Sequence, residues 1–181
     1  MGTVVGLETA AGVVLAGDRR TIRGGTVASN RTERVFDFEG IGAAAIGDEG
    51  AVGDFRRHLD AELRAERQER DREIDADVLA RIAARVAEDT GVEAIVSTHD
   101  DEGAARLRQV GLDGSVLAEP IVAIGSGAPL ALGQLEAADR DIDLSSAETL
   151  LREILETVAD RDPETGGGVD VWSLATRESS L

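Results

Sequence analysis

The hydrophobic spacing of this chain switches between strand-type and helix-type periods along its length, and that order restricts the folds open to it. Over the first 47 residues apolar side chains come in short β-type runs, Thr3 to Glu8, Val13 to Asp18, Arg34 to Phe38 and Ile41 to Gly47. Gly12, Gly24-Gly25 and Gly40 punctuate these runs, which predicts strands joined by turns in a β-meander. From Asp48 the spacing becomes helical, with Phe55, Leu59 and Leu63 four apart and then Val78, Leu79, Ile82 and Val86 on one stripe. The Arg/Glu/Asp-rich stretch from Glu62 to Glu73 lacks Pro and Gly, so it reads as solvated helix and its end, not as a linker. Strand-type segments return at Glu93 to Thr98, Leu107 to Val110 and Ser115 to Ile124, with Asp113-Gly114 as a hairpin signal. Pro129 after a Ser126 cap opens a third helix over Leu130 to Ala138. Ser145 and Glu148 form a capping box ahead of Leu150, Leu151, Ile154, Leu155 and Val158, and Val169 to Ala175 supplies a last strand. The order predicts an α+β chain with helices outside two packed sheets.

At 181 residues the chain has the length of one domain, spanning 1–181, and can bury roughly 70% of its unfolded surface. Its 36 acidic and 19 basic residues give a net charge of −17, a field that repels phosphate backbones and anionic lipid. Nucleic acid and membrane surfaces are therefore not expected partners. With 42% apolar residues it is too hydrophobic for a disordered acidic tail. All the basic residues are arginine, and the acidic excess is dispersed along the chain. Such dispersion suits a high-salt cytoplasm, where the Debye length shrinks to a few ångström, and it predicts salt-dependent stability. No cysteine is present, which excludes disulfides, thiolate metal sites and thiol nucleophiles. No apolar stretch approaches the roughly 20 residues needed to span a bilayer, and no signal peptide is visible, so a cytoplasmic protein is expected.

Familiar catalytic patterns are missing. His58 lies in a helix beside Arg57, and His99 in an acidic turn with Asp100 and Asp101; neither has a serine partner in sequence, and both read as ordinary solvated residues. Gly166-Gly167-Gly168 lacks the Lys-Ser/Thr of a phosphate loop.

Five segments taken in order carry a stronger signal: Gly2-Thr3-Val4-Val5-Gly6-Leu7, Gly12 to Arg20, Ala45-Ile46-Gly47, Ile124-Gly125-Ser126-Gly127-Ala128-Pro129, and Arg161-Asp162-Pro163-Glu164-Thr165-Gly166-Gly167-Gly168-Val169-Asp170-Val171. Together they resemble the proteasome β subunits and their HslV-type relatives, which are N-terminal nucleophile hydrolases. The resemblance covers nearly the whole chain. It implies a four-layer αββα sandwich of the proteasome-subunit type and a self-assembling ring, with α-type subunits or an ATPase cap as further partners. No cofactor and no metal are implied.

In that family an N-terminal threonine is the nucleophile, activated by its own α-amino group and by a lysine. Asp18 matches the aspartate that orients the lysine. Counting from it, the threonine position falls on Gly2, which has no hydroxyl, and the lysine position on Arg34, whose guanidinium stays protonated. Ser126, Asp162 and Thr165 match the residues that hold the N-terminal amine, Thr165 replacing a serine, and Gly47 matches the backbone N–H that stabilises the oxyanion. The same residues also have an architectural reading, with Asp18 paired to Arg34 and Ser126 and Thr165 capping helices or turns. Thr3 is the alternative nucleophile, but it lies one residue nearer Asp18, and its side chain should face away from the Gly2 site. Only Met1 precedes Gly2, so an unprocessed, β-like chain is expected. The resemblance thus leads to a β-like ring subunit with impaired or absent threonine peptidase activity. An active peptidase using Thr3, and a peptide or small-molecule binding module in the vestigial cleft, are the alternatives.

Overall fold

The computed structural model describes residues 1–178. Runs such as Val4-Val5-Gly6-Leu7, Val13-Val14-Leu15-Ala16 and Ala43-Ala44-Ala45-Ile46 are apolar at every position, as befits strands covered on both faces. Fifteen elements follow in order among the described residues: strands β1 (Thr3–Glu8), β2 (Gly12–Asp18), β3 (Thr21–Arg23), β4 (Thr26–Ser29), β5 (Val35–Asp37) and β6 (Gly42–Ile46); helices α1 (Glu49–Glu69) and α2 (Ala76–Thr90); strands β7 (Glu93–His99), β8 (Ala105–Val110), β9 (Val116–Leu117) and β10 (Ile121–Gly125); helices α3 (Ala128–Ala137) and α4 (Leu144–Ala159); and strand β11 (Val169–Ala175). They form two main antiparallel sheets, a four-stranded one ordered β10-β1-β2-β11 and a five-stranded one ordered β5-β6-β7-β8-β9, beside a β3-β4 hairpin.

Alternation along each strand divides its apolar residues between two cores. From β1 and β2, Val5, Leu7, Val14 and Ala16 pack with Leu135, Leu151 and Leu155 of α3 and α4. Their neighbours Val4, Val13 and Leu15 pack instead with Ala44, Ile46, Ile95 and Leu107 of the other sheet. On the far face of that second sheet, Ala43, Ala45, Ala94 and Val96 meet Phe55, Leu59, Leu79 and Ile82 of α1 and α2. The layers therefore run helix, sheet, sheet, helix, the sandwich expected of a proteasome-type subunit.

At the edge of the sandwich Trp172 of β11 lies over Gly42 of β6, where a Cβ would come within 2.6 Å of ring atoms. Its Nε1–H donates to Asp37 Oδ1 at 3.0 Å, so one side chain spans the two sheets.

Four local expectations need correction. The opening strands do not form one meander: β1 and β2 pair in one sheet, whereas β5 and β6 belong to the other, and the β3-β4 hairpin between them is unforeseen. Ser115 to Ile124 is not one strand. Pro120 has no N–H for a ladder, and the chain crosses there from β9 in one sheet to β10 in the other. Ser126 does not cap α3, whose N-cap is Gly127, because its hydroxyl is bound elsewhere. The cap of α4 is Asp143, accepting from the Ser146 N–H at 2.7 Å, while Glu148 accepts from the Ser173 hydroxyl.

Candidate functional site

The start of β1, the ends of β2 and β10, the residue before β5 and the loop after α4 converge around residues 2 and 3. Gly2 adopts φ +84°, a conformation that side-chain-bearing residues rarely take. A Cβ built there would lie 2.6 Å from Arg34 Cζ and 2.6 Å from Asp18 Oδ1. The space where a side chain at position 2 would begin is thus taken up by an ion pair.

That pair is almost fully enclosed, Asp18 being 1% and Arg34 3% exposed. Arg34 Nη1 donates to Asp18 Oδ1 (3.1 Å) and to the Asp18 carbonyl (3.0 Å), while Nη2 donates to the carbonyls of Met1 (3.1 Å) and Arg20. Asp18 Oδ1 also accepts the Thr3 N–H at 3.0 Å, and Oδ2 accepts the N–H groups of Gly166 (2.8 Å) and Arg20 (3.2 Å). One carboxylate thereby fastens β1, the residues after β2 and the glycine loop. Burial raises the Asp18 carboxyl above its ordinary value, opposed by Arg34 and these three N–H donors. Burial likewise lowers the Arg34 guanidinium, opposed by Asp18 and Glu49.

On the other side of the Gly2-Thr3 backbone lies a run of hydroxyls. Thr165 donates to Asp162 Oδ2 at 2.6 Å, so its oxygen receives the Thr3 hydroxyl proton across the 2.8 Å Thr3–Thr165 contact. Thr3 Oγ1 in turn accepts the Gly127 N–H at 2.9 Å. Ser126 also donates to Asp162 Oδ2 at 2.6 Å, and its own N–H donates to the Gly2 carbonyl at 3.0 Å. Burial would raise the Asp162 carboxyl, but the Ser126 and Thr165 hydroxyls and the Glu164 N–H bring it below the usual carboxylate range. The Thr3 side chain is wholly buried.

Gly47 stands apart from both groups, at the end of β6 before the Asp48 N-cap of α1. It lines a cleft of about 560 Å³ with Met1, Ile22, Arg34, Ile46 and Val52, a cleft also lined by the Arg23–Glu49 ion pair at 2.6 Å. The structure thus brings Gly2, Asp18 and Arg34 together, places Thr3, Ser126, Asp162 and Thr165 in a second group, and sets Gly47 across the cleft. Sequence reasoning missed Arg20 and Glu164. Arg20 packs on the carbonyls of Pro163 and Thr165, and Glu164 accepts from the Met1 ammonium at 3.0 Å. The doubled arginine after Asp18 was the available signal for the first; nothing local marks the second. His99 Nε2 lies 2.8 Å from the Ala175 carbonyl, and His58 is exposed on α1. Among the described residues no cluster of three or more His, Asp or Glu side chains is placed to hold a metal ion.

The family model described as "Proteasome subunit" matches residues 1–174. The chain belongs to the proteasome-subunit family. Among its relatives, the proteasome subunit beta 1 of Staphylothermus marinus is 33% identical over 99% of this chain and 87% of its own. The proteasome subunit beta of Methanopyrus kandleri is 31% identical over 97% and 88%, and that of the haloarchaeon Halorubrum lacusprofundi 29% identical over 93% and 71%. The resemblance carried by the five sequence segments is therefore a membership. No helix among the described residues of this family member is long and apolar enough to cross a membrane.

Proposed function

We propose that this chain is a ring-forming, proteasome β-like subunit in which the threonine peptidase site is disabled. The observation that carries the reading is the Gly2 position, where a Cβ would fall 2.6 Å from both Arg34 Cζ and Asp18 Oδ1. A threonine at residue 2 and the guanidinium of Arg34 compete for one space, and Arg34, always protonated, does not exchange a proton as the family lysine does. The retained residues Thr3, Ser126, Asp162 and Thr165 then serve as a hydrogen-bonded frame for the β1 entry, and Asp18 as the anchor of Arg34. Thr3 is a poor nucleophile in this setting: it is enclosed, its proton is given to Thr165, and its nitrogen is a peptide N–H bound to Asp18, not a free amine.

The decisive experiment pairs loss with restoration. Wild-type protein should hydrolyse fluorogenic peptides at background and form no adduct with a threonine-directed electrophile. Gly2→Thr combined with Arg34→Lys, processed so that the threonine is the first residue, should gain both. Residue 2 then has no preceding carbonyl and no φ constraint. Gly2→Thr alone should stay inactive. Wild-type cleavage with an adduct at Thr3, both abolished by Thr3→Ala, would overturn the reading in favour of an active threonine endopeptidase.

The 560 Å³ cleft, lined by the apolar Ile22, Ile46 and Val52 together with the charged Arg23, Arg34 and Glu49, supports a second role as a binding site for a peptide or small molecule. The whole chain, 1–181, is read as one domain. The ring partners proposed are further copies of this chain, α-type subunits and an ATPase cap, in a high-salt cytoplasm. Concentrated salt should screen the −17 charge, so melting temperature should rise from low to molar KCl. An unchanged melting temperature would remove the halophilic part of the proposal.

A further inference from the structure

Over the last residues of β7 the helical cover of the five-stranded sheet is incomplete. Helix α1 ends at Glu69 and α2 begins at Ala76, and a cavity of about 630 Å³ lies between their loop, the turn from β5 to β6, and the ends of β7 and β11. It shares no lining residue with the cleft beside Gly47. Thr98 of β7 alternates onto the face of Ala94 and Val96, which is turned to α1 and α2, and is only 5% exposed. No side chain or backbone group among the described residues bonds its hydroxyl, although a hydroxyl so enclosed ordinarily has a partner. Since no side-chain polar atom is sealed off without one, the Thr98 hydroxyl opens into the cavity that it lines. Around it the wall is apolar, made by the nearly enclosed Ile41 and Ile74 and the half-buried Leu174.

Four arginines line the same cavity, and three are committed. Arg67 holds the Phe38 and Glu39 carbonyls and faces the Glu39 carboxylate, Arg70 pairs with Glu66, and Arg177 takes both carboxylate oxygens of Glu73. Arg72 is exposed and makes no ion pair or side-chain hydrogen bond among the described residues. The acids beside it in the chain leave it so. Glu73 is held by Arg177, Asp75 caps α2 by accepting the N–H groups of Asp77 and Val78, and Asp71 is itself exposed and unpaired.

We propose that this cavity binds a small organic carboxylate whose apolar body carries a hydrogen-bonding group away from the acid. The groups left unspent in the lining dictate that class. One hydroxyl set among apolar side chains calls for a single polar partner on an otherwise apolar surface, and one unpaired guanidinium calls for a single carboxylate. A phosphate dianion would meet one free cation beside an unpaired aspartate, a poor balance of charge. The site is independent of the peptidase and ring readings. Occupied, it would join the end of α1, the end of β7 and the last strand through one molecule, so its ligand should raise the melting temperature.

The probe is para-hydroxybenzoate, in which a ring separates a hydroxyl from a carboxylate. Titrated into the full-length chain at fixed KCl concentration, it should bind saturably by isothermal titration calorimetry. Thr98→Val keeps the side-chain shape and should weaken binding about fivefold, the scale of one neutral hydrogen bond, while leaving benzoate binding unchanged. Arg72→Gln should weaken para-hydroxybenzoate about tenfold, the scale of a charge-assisted bond, and leave para-hydroxybenzamide unchanged; Arg72→Lys should recover most of the loss. Position 72 is exposed, so circular dichroism of both Arg72 variants should match wild type, and they decide the matter if Thr98→Val folds poorly. Absence of saturable binding overturns the proposal, as do equal losses for each probe and its truncated analogue. Tighter binding of the cationic para-hydroxybenzamidine overturns it too, by assigning the cavity to Asp71.

Discussion

The two sides of the Gly2-Thr3 backbone are built on different physics. On one side, Asp18 and Arg34 form an enclosed ion pair whose charges are balanced by each other and by backbone groups. On the other, Thr3 donates to Thr165, and Thr165 and Ser126 both donate to the single carboxylate of Asp162, which is partly open to water. The first side tolerates no halfway state, because removing either partner strands a buried charge. The second can lose one hydroxyl and keep the rest. The two residues read from the sequence as departures from the resembled pattern, Gly2 and Arg34, both lie on the charged side.

The largest expected effect breaks the charged side. Arg34→Ala leaves Asp18 buried and unpaired and should cost about 3–5 kcal/mol of stability, read by urea unfolding. If the loss is under about 1 kcal/mol, the enclosure of the pair has been misjudged. On the hydroxyl side, Thr165→Val removes the donor to Asp162 and the acceptor for Thr3, and should cost about 1–3 kcal/mol in the same assay. A loss equal to that of Arg34→Ala would erase the contrast between the two sides. The smallest effect is in titration. Carboxyl NMR should place Asp18 above and Asp162 below the ordinary aspartate value of about 3.9. The signs then oppose. The depressed Asp162 contributes stability above that ordinary value and loses it as pH falls through its folded value. The raised Asp18 contributes stability below it and loses it as pH rises through its own. Asp162→Asn should therefore flatten the acid limb of the stability curve; an unaltered limb would mean that its hydrogen bonds matter little.

The long apolar runs of β1, β2, β6 and β7 and the helical stripes of α1, α2 and α4 were legible because alternation and the helical period are local properties. Which sheet each strand joins was not, since β2 and β6, both continuous apolar runs, belong to different sheets. Pro120 was a usable signal for the break between β9 and β10, and it was passed over. Asp143, standing two residues before Ser145, was an equally good cap. Ser126 illustrates a harder limit: its partner Asp162 is 36 residues away, and a local helix cap was the natural reading of a serine before a proline-led helix. At the site, the chemistry of Gly2 and Arg34 could be read as two substitutions. That a side chain at residue 2 would meet the Arg34 guanidinium follows only from the fold.

Trp172 spans the two sheets through its seat over Gly42 and its bond to Asp37, and the chain contains no other tryptophan and no tyrosine. Its fluorescence is therefore a single-site signal located at the seam of the sandwich. Parting of the sheets should shift the emission toward the red even while the outer helices keep their far-ultraviolet dichroism, so disagreement between the two optical traces would expose a state in which the layers have separated before the helices melt.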